Sequence, residues 1–407
     1  WKIAPALAAG NSVVLKPAED ASLSPLRFAQ LCLEAGVPPG VVNVVTGAGE
    51  TGAALSVHLD VDKIAFTGSC ETGQRIIAAS AGSVKKVTME LGGKSPNIIF
   101  ADADLDAATP AAAMGVFNNS GQVCAAGTRL FVERPVYEEM VQRIAAFAAN
   151  LKIGPSLDPE TVIGPLVSAK QFARVSSYLD LGPQEGARLV TGGHRVTGGA
   201  LDKGHWVAPT IFADVTDEMR IAREEIFGPV SCILPFDSLD EVIGRANATR
   251  FGLAGGVWTR DIGKAMTAVK RIRAGSIWVN HYFAMDPSVP FGGYKMSGYG
   301  REGGSEHIDQ PLHDRGAGAE GAGGRVLWPV RHVEHGDGVA RSAADGLGDA
   351  GVQRPADWLL ARAAAAGDRA RADAAGEPED GCARCGGRLR SRSQWGSRRR
   401  SCRASSG

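Results

Sequence analysis

Lys63-Ile-Ala-Phe-Thr-Gly-Ser-Cys-Glu-Thr-Gly73 sets the reading of this chain. Lys63–Thr67 is a short apolar run of strand type. Gly68 ends it, and a helix follows through Ile76, Ile77 and Ala78. The same unit repeats on both sides. Asn11-Ser-Val-Val-Leu-Lys16 reads as a buried strand, and Ser24 to Ala35 as a helix that stops at Gly36. Val41–Val45, Lys86–Glu90 and Asn97–Phe100 read as further strands. Strand–helix alternation with short connections predicts a parallel, doubly wound α/β sheet. Beyond about residue 101 the elements lengthen. Helical stretches over Val136 to Ala149 and Ser168 to Leu179, with a strand at Gly275–Val279, predict a second α/β domain.

The 407 residues suffice for two or more domains. Lys plus Arg equal Asp plus Glu at 44 each, so net charge points to neither nucleic acid nor an anionic membrane. No apolar run reaches the roughly 18 to 20 residues of a membrane span. The seven cysteines are scattered and odd in number, which argues against a disulfide framework and for a reducing, cytoplasmic setting. The eight histidines form no metal-binding spacing.

From Pro311 the text changes. Residues 311–407 contain no Lys, Asn, Ile, Phe, Tyr, Thr or Met, while Ala, Gly and Arg dominate. Such a composition predicts disorder. The missing residues, Thr aside, are those of AT-rich codons, so GC-rich DNA read out of frame is a second expectation. Arg398–Arg400 reads as a solvated basic end. Cys382 and Cys385 have a metal-ligand spacing without a second pair.

Two glycine-rich turns compete for a phosphate. Gly47-Ala-Gly-Glu-Thr-Gly52 matches G-x-G-x-x-G between a strand and a helix, a weak signal when alone. Gly68 to Gly73 is the other, where helix-start N–H groups and the Ser69 hydroxyl can hold a pyrophosphate. Either turn also serves as a plain tight reversal that needs glycine. Lys16 and Glu19 follow the first strand, where parallel sheets bind ligands and where both can reach ribose hydroxyls. A carboxylate there repels a 2′-phosphate and favours NAD over NADP. Cys124 ends Gly121-Gln-Val-Cys124, and Glu90 opens Glu90-Leu-Gly-Gly-Lys94. A lone cysteine is most often a small buried hydrophobe. Beside a carboxylate able to activate water, it becomes a candidate nucleophile.

Together these stretches resemble the NAD(P)-dependent aldehyde dehydrogenases. The resemblance runs from Trp1 to about Gln310. It takes in Trp1–Gly10, Lys16–Glu19, Phe66–Ser69, Met89–Lys94, Gly121–Cys124, Glu224-Glu-Ile-Phe-Gly-Pro-Val230 and Pro290-Phe-Gly-Gly-Tyr-Lys295. It implies an α/β fold with a partial Rossmann-type cofactor domain (1–92), a catalytic domain (93–292) and a returning segment (293–310). It also implies Cys124 as nucleophile, Glu90 as general base, and Lys16 and Glu19 on the adenosine ribose. Gly68, Ser69 and Gly73 become the pyrophosphate turn, which decides between the two glycine motifs. Leu91 becomes a contact near the nicotinamide, Glu225 the nicotinamide-ribose carboxylate, and Phe227 its packing neighbour. The implied cofactor is NAD, with NADP as the variant, and the implied substrate a small-molecule aldehyde. The family further implies a homodimer or homotetramer. It also has a segment before the position of Trp1, whose Asn helps the cysteine N–H hold an oxyanion, a donor worth about 10² to 10³ in rate. His281, Tyr282, Phe283 and Met285 are expected to border the aldehyde, with Met114, Phe117, Asn118 and Val123 opposite. A CoA-acylating semialdehyde dehydrogenase needs no water-activating base, so Glu90 argues against that alternative. A catalytically impaired fragment of such an enzyme, lacking the family's opening segment, is the other alternative.

Overall fold

The computed structural model describes residues 1–304 and the backbone of 325–330. Strands β1 (Ser12–Pro17), β2 (Val42–Val44), β3 (Lys63–Thr67) and β4 (Lys86–Glu90) alternate with helices Leu23–Glu34, Gly49–Val57 and Cys70–Ser80. A second series follows: β5 (Pro96–Ile99), β6 (Arg129–Glu133), β7 (Arg188–Thr191), β8 (Thr210–Ala213), β9 (Val230–Phe236), β10 (Ala254–Trp258) and β11 (Ser276–Val279). The chain then returns to the first sheet through β12 (Gly298–Tyr299) and β13 (Arg325–Val330).

The first sheet has six strands in the order β12-β4-β3-β13-β1-β2. All its pairings are parallel except the one between β12 and β4. Register places Pro17, Val330, Thr67 and Glu90 in one row across it. The carboxyl ends of β1, β3 and β4 therefore share an edge, where an open α/β sheet binds its ligand. Motifs far apart in sequence meet there for that reason.

The second sheet has seven strands in the order β11-β10-β5-β6-β9-β8-β7. Alternation along its central strands feeds two cores. Ile98, Phe131, Cys232 and Leu234 face one layer. Ile99, Leu130, Val132 and Ile233 face the other. Helices Leu105–Phe117 and Tyr137–Ala149 cover the second layer through Ala108, Ala112, Val116, Met140 and Ile144. Helices Ala169–Gln184 and Leu239–Asn247 cover the first through Val175, Leu179, Val242 and Ala246. A parallel sheet covered on both faces needs apolar residues on both, which explains the continuous apolar runs of its strands.

The α/β expectation holds. Within residues 311–407 the backbone of Arg325–Val330 forms β13 between β1 and β3, and the rest of that stretch lies outside the described residues. Val326-Leu-Trp328 is a local strand-forming run that the composition of the whole tail conceals. The basic end and the Cys382/Cys385 pair lie outside the described residues. Among the described residues no helix is long and apolar enough to cross a membrane, and no cluster of His, Cys, Asp and Glu is arranged to hold a metal ion.

Candidate active site

Glu90 is the last residue of β4, on the shared carboxyl edge, and only 4% exposed. Its carbonyl accepts a hydrogen bond from Gly68 N–H at 3.0 Å, and β12 pairs Gly298 opposite it. Neither carboxyl oxygen has a hydrogen-bond partner among the described residues. Burial therefore raises its pKa well above the usual carboxylate range, while the positive fields of Lys2 and Arg301 pull the other way. A buried carboxyl with free oxygens is built to take a proton near neutral pH.

Cys124 follows the short helical turn Asn118–Gly121 that ends helix Leu105–Phe117. Its approach is left-handed: φ is 52° at Asn119, 55° at Ser120 and 70° at Gly121. Three such residues in a row hold only where the surroundings fix them. Ser120 Oγ donates to Gly164 O at 2.7 Å, and Gln122 Oε1 accepts from Val167 N–H at 3.0 Å. Tyr282 Oη donates to Ala125 O at 2.8 Å just past the thiol. Trp278 and Phe283 pack with Cys124 against Ala125, Leu253, Ala254 and Phe291. The thiol is partly exposed, yet desolvation pushes it up to about 12, with the Glu90 and Glu225 carboxylates adding to the rise. In the chain alone the sulfur is held as a thiol.

Leu91 to Gly93 join the two residues. Leu91 N–H donates to Ser297 O at 3.0 Å, and Gly93 N–H donates to Glu225 Oε1 at 3.0 Å. A Cβ on Gly92 would lie 2.1 Å from Glu225 Oε2, and one on Gly93 would lie 2.3 Å from the Cys124 carbonyl. Only glycines allow Glu90, the Cys124 loop and Glu225 to approach so closely. Glu225 is itself raised by desolvation, against the fields of Lys94, Arg174 and Arg250. Phe227 adopts φ 60°, and its carbonyl accepts from Gln171 Nε2 at 2.6 Å.

Gly68 to Gly73 lead from β3 into helix Cys70–Ser80. Ser69 is its N-cap, with Oγ accepting from Thr72 N–H at 3.2 Å. A Cβ on Gly73 would meet the Leu91 side chain at 2.7 Å, so this glycine seats the helix directly beneath Leu91. Lys16, 5% exposed, lies at the end of β1 with Nζ 3.6 Å from Glu19 Oε1. The competing turn at Gly47 is explained by packing. Its φ is 148°, a Cβ there would strike Thr51 Oγ1, and a Cβ on Gly52 would lie 3.6 Å from the Lys16 alkyl chain.

The structure thus gathers Cys124, Glu90, Leu91 and Glu225, with the Gly68–Gly73 turn, Lys16 and Glu19 along the same strand ends. Phe117 departs from expectation. It is wholly buried in the core of the second sheet, on the inner face of its helix, and cannot line a substrate site. Tyr282 is likewise buried and acts as a strut under the Cys124 loop. Sequence reading missed Lys2 and Glu302, which form a buried ion pair beside Glu90. The signal was a charged residue at the head of the apolar run Ile3-Ala-Pro-Ala-Leu-Ala8.

Residues 1–314 match the sequence profile of the aldehyde dehydrogenase family. A putative aldehyde dehydrogenase, DhaS, of Bacillus subtilis is 51% identical over 310 residues, covering 76% of this chain and 62% of that protein. Retinal dehydrogenase 2 of Homo sapiens is 53% identical over 304 residues, 74% of this chain and 58% of its own length. The NAD+ complex of an aldehyde dehydrogenase from Bacillus cereus superposes with a TM-score of 0.74 at 51% identity, covering 76% of this chain and 62% of that structure. The chain spans about three-fifths of the length of these relatives. On the profile, the identities and the shared fold, this chain belongs to the aldehyde dehydrogenase family.

Proposed function

We propose that this chain carries the machinery of an NAD+-dependent dehydrogenase that oxidises an aldehyde to a carboxylic acid. The observation that carries the reading is the placement of a buried, unpartnered carboxyl, Glu90, in the field of the Cys124 thiol across the Gly92–Gly93 turn. Residues 1–92 are read as the cofactor domain, 93–292 as the catalytic domain and 293–310 as the returning segment. Strands β1–β4 in one sheet and β5–β11 in the other support that division.

The residues at the strand ends fit a dinucleotide. A helix N-terminus follows β3, a Lys and a carboxylate follow β1, and Glu225 faces the turn after β4. Lys16 and Glu19 would hold the adenosine ribose, Gly68, Ser69 and Gly73 the pyrophosphate, and Glu225 and Phe227 the nicotinamide end near Leu91. Glu19 is exposed and disfavours a 2′-phosphate, which supports NAD over NADP. When bound, the nicotinamide supplies a hydride acceptor and a positive charge beside the thiol.

Cys124 Sγ, once ionised, attacks the aldehyde carbon and forms a tetrahedral thiohemiacetal. Collapse of the oxyanion expels hydride and leaves a thioester on Cys124. Glu90 takes a proton from water, the resulting hydroxide attacks the thioester, and the acid departs as the sulfur is regenerated. Hydrolysis needs such a base and transfer to CoA does not, so the buried Glu90 favours water as acceptor. Trp278 and Phe283 beside the sulfur give the substrate an aromatic wall. A homodimer or homotetramer and a cytoplasmic setting complete the reading. The free cysteines Cys32, Cys70, Cys124 and Cys232 suit a reducing compartment.

The test uses the full chain, NAD+ and a set of aldehydes of graded size, followed by NADH absorbance. NADH formation that Cys124→Ala abolishes is expected. Glu90→Gln should form the acyl-enzyme and hydrolyse it slowly, by about 10² or more. A folded parent that makes no NADH would overturn the reading. Because the thiol lies at about 12 in the chain alone, its alkylation by iodoacetamide should be slow at neutral pH and accelerate when NAD+ is added.

A further inference from the structure

Ser297 is fully buried at the end of the turn Lys295–Ser297, on the segment that returns to the first sheet. Its Oγ donates to Gly92 O at 2.7 Å and accepts from Gly252 N–H at 2.9 Å. Its carbonyl accepts from Leu91 N–H at 3.0 Å. The next residue, Gly298, pairs with Glu90. One hydroxyl thus links the turn after β4 to the loop that leads into β10.

The turn that presents Ser297 is itself fixed. Lys295 adopts φ 54°, and its Nζ donates to Asn247 O at 3.0 Å and Thr249 O at 3.1 Å beyond helix Leu239–Asn247. A Cβ on Gly293 would meet Ser297 O at 2.5 Å, so the two strands of the turn are in close contact. On the other side of the hydroxyl, every active-site contact of the Leu91–Gly93 backbone depends on the same peptides: Glu90 precedes them, Glu225 accepts from Gly93 N–H, and the Cys124 carbonyl lies against Gly93. Ser297 touches none of the reacting groups.

We propose that Ser297 is a positioning residue, whose hydroxyl holds the Glu90–Gly93 turn in register with the Cys124 loop. The role rests on the dehydrogenase reading given above. It predicts a selective defect. The sulfur keeps its own supports through Ser120, Gln122 and Tyr282, so attack by the thiol is spared. Glu90 loses its fixed distance to the thioester, so hydrolysis suffers. Loss of the hydroxyl also opens the peptides around Glu90 to water. Desolvation is the leading cause of its raised pKa, opposed by Lys2 and Arg301, with Glu302 paired to Lys2 beside it. Hydration therefore moves the base downward, toward the ordinary carboxylate range.

p-Nitrophenyl acetate separates the steps without a cofactor, because an activated ester acylates the thiol directly and the same base must clear the acyl group. In the full chain, Ser297→Ala should keep the iodoacetamide reactivity of Cys124 and the amplitude and rate of the acylation burst near parental values. Steady-state hydrolysis should fall by about 10- to 100-fold, the scale of a misplacement near 1 Å. The pH midpoint of hydrolysis should move down. Ser297→Thr, which retains the hydroxyl, should recover rate and midpoint. Should Ser297→Ala not fold, Ser297→Cys carries the same comparison with a weaker donor. An unchanged hydrolysis rate and midpoint would overturn the proposal. So would a uniform loss of burst, hydrolysis and thermal stability, which marks a purely structural residue. A parent without a burst that Cys124→Ala removes would overturn the underlying reaction, and the positioning role with it.

Discussion

Lys2 acts on Glu90 through charge. It is buried, paired with Glu302, and its field lowers the Glu90 pKa against a larger desolvation effect. Burial lowers Lys2 itself, while Glu90 and the Cys124 thiolate raise it. Removing the ammonium takes away a lowering influence, so Glu90 rises and releases its proton at higher pH. Lys2→Met alone would strand the Glu302 charge in the interior at a cost of about 3–5 kcal/mol. The paired variant Lys2→Met/Glu302→Gln avoids this. Its p-nitrophenyl acetate hydrolysis should show a pH midpoint displaced upward from the parent. A midpoint that stays or moves down would show that Lys2 does not act on the base. Cys124 and Glu90, the pair proposed for the chemistry, stand out in the sequence because each sits in a short, distinctive string. Lys2 and Glu302 do not, because their meaning is a contact between residues at opposite ends of the described chain. No local pattern encodes that contact.

Among the elements, the repeating strand and helix periods were legible and the left-handed links were not. The helix over Ser24 to Ala35 is Leu23–Glu34, and the strand over Lys63–Thr67 is unchanged. Periodicity carries those because many residues vote on one face. Asn119 and Ser120 take φ near +50° where Ser120 bonds Gly164 and the neighbouring Gln122 bonds Val167, both in another loop. Val84 shows the same departure without such support. It links the turn Ala81–Ser83 to β4, has φ 55°, and its side chain is 90% exposed. A β-branched residue in this region costs about 1–2 kcal/mol, and an exposed side chain offers little packing to offset it. Val84→Gly removes the steric term, though it adds some unfolded-state entropy, and should stabilise by about 1 kcal/mol. Val84→Asn should give part of that gain. Urea unfolding checks both. A midpoint unchanged or lowered in Val84→Gly would mean that the left-handed residue carries no such strain.

Across the described chain, the edge proposed to hold the cofactor depends on β13. Strands β1 and β2 form one half of the first sheet, and β3, β4 and β12 the other. Among the described strands the hydrogen-bonded ladder joins the halves through β13, whose two edges pair with β1 and β3. Lys16 and Glu19 stand at the end of one half, and Glu90 and the Gly68–Gly73 turn at the end of the other. Their shared edge is therefore a property of the six-stranded assembly. In the composition of residues 311–407, averaging over a long polar and small-residue stretch hides the six residues of β13. A strand needs only a short run when partners wait on both sides. Pro329 already removes one donor from β13. A second proline at Leu327, between two partners, should cost about 3 kcal/mol or more through lost ladder bonds and steric conflict. Hydrogen exchange on the full chain reads this directly. In Leu327→Pro, amides of Ser12–Pro17 and Lys63–Thr67 should lose protection together, while those of Arg129–Glu133 and Val230–Phe236 in the second sheet remain protected. Equal protection of β1 and β3 in parent and variant would show that the two halves hold their places without β13. Loss confined to one of them would show that β13 belongs to that half alone.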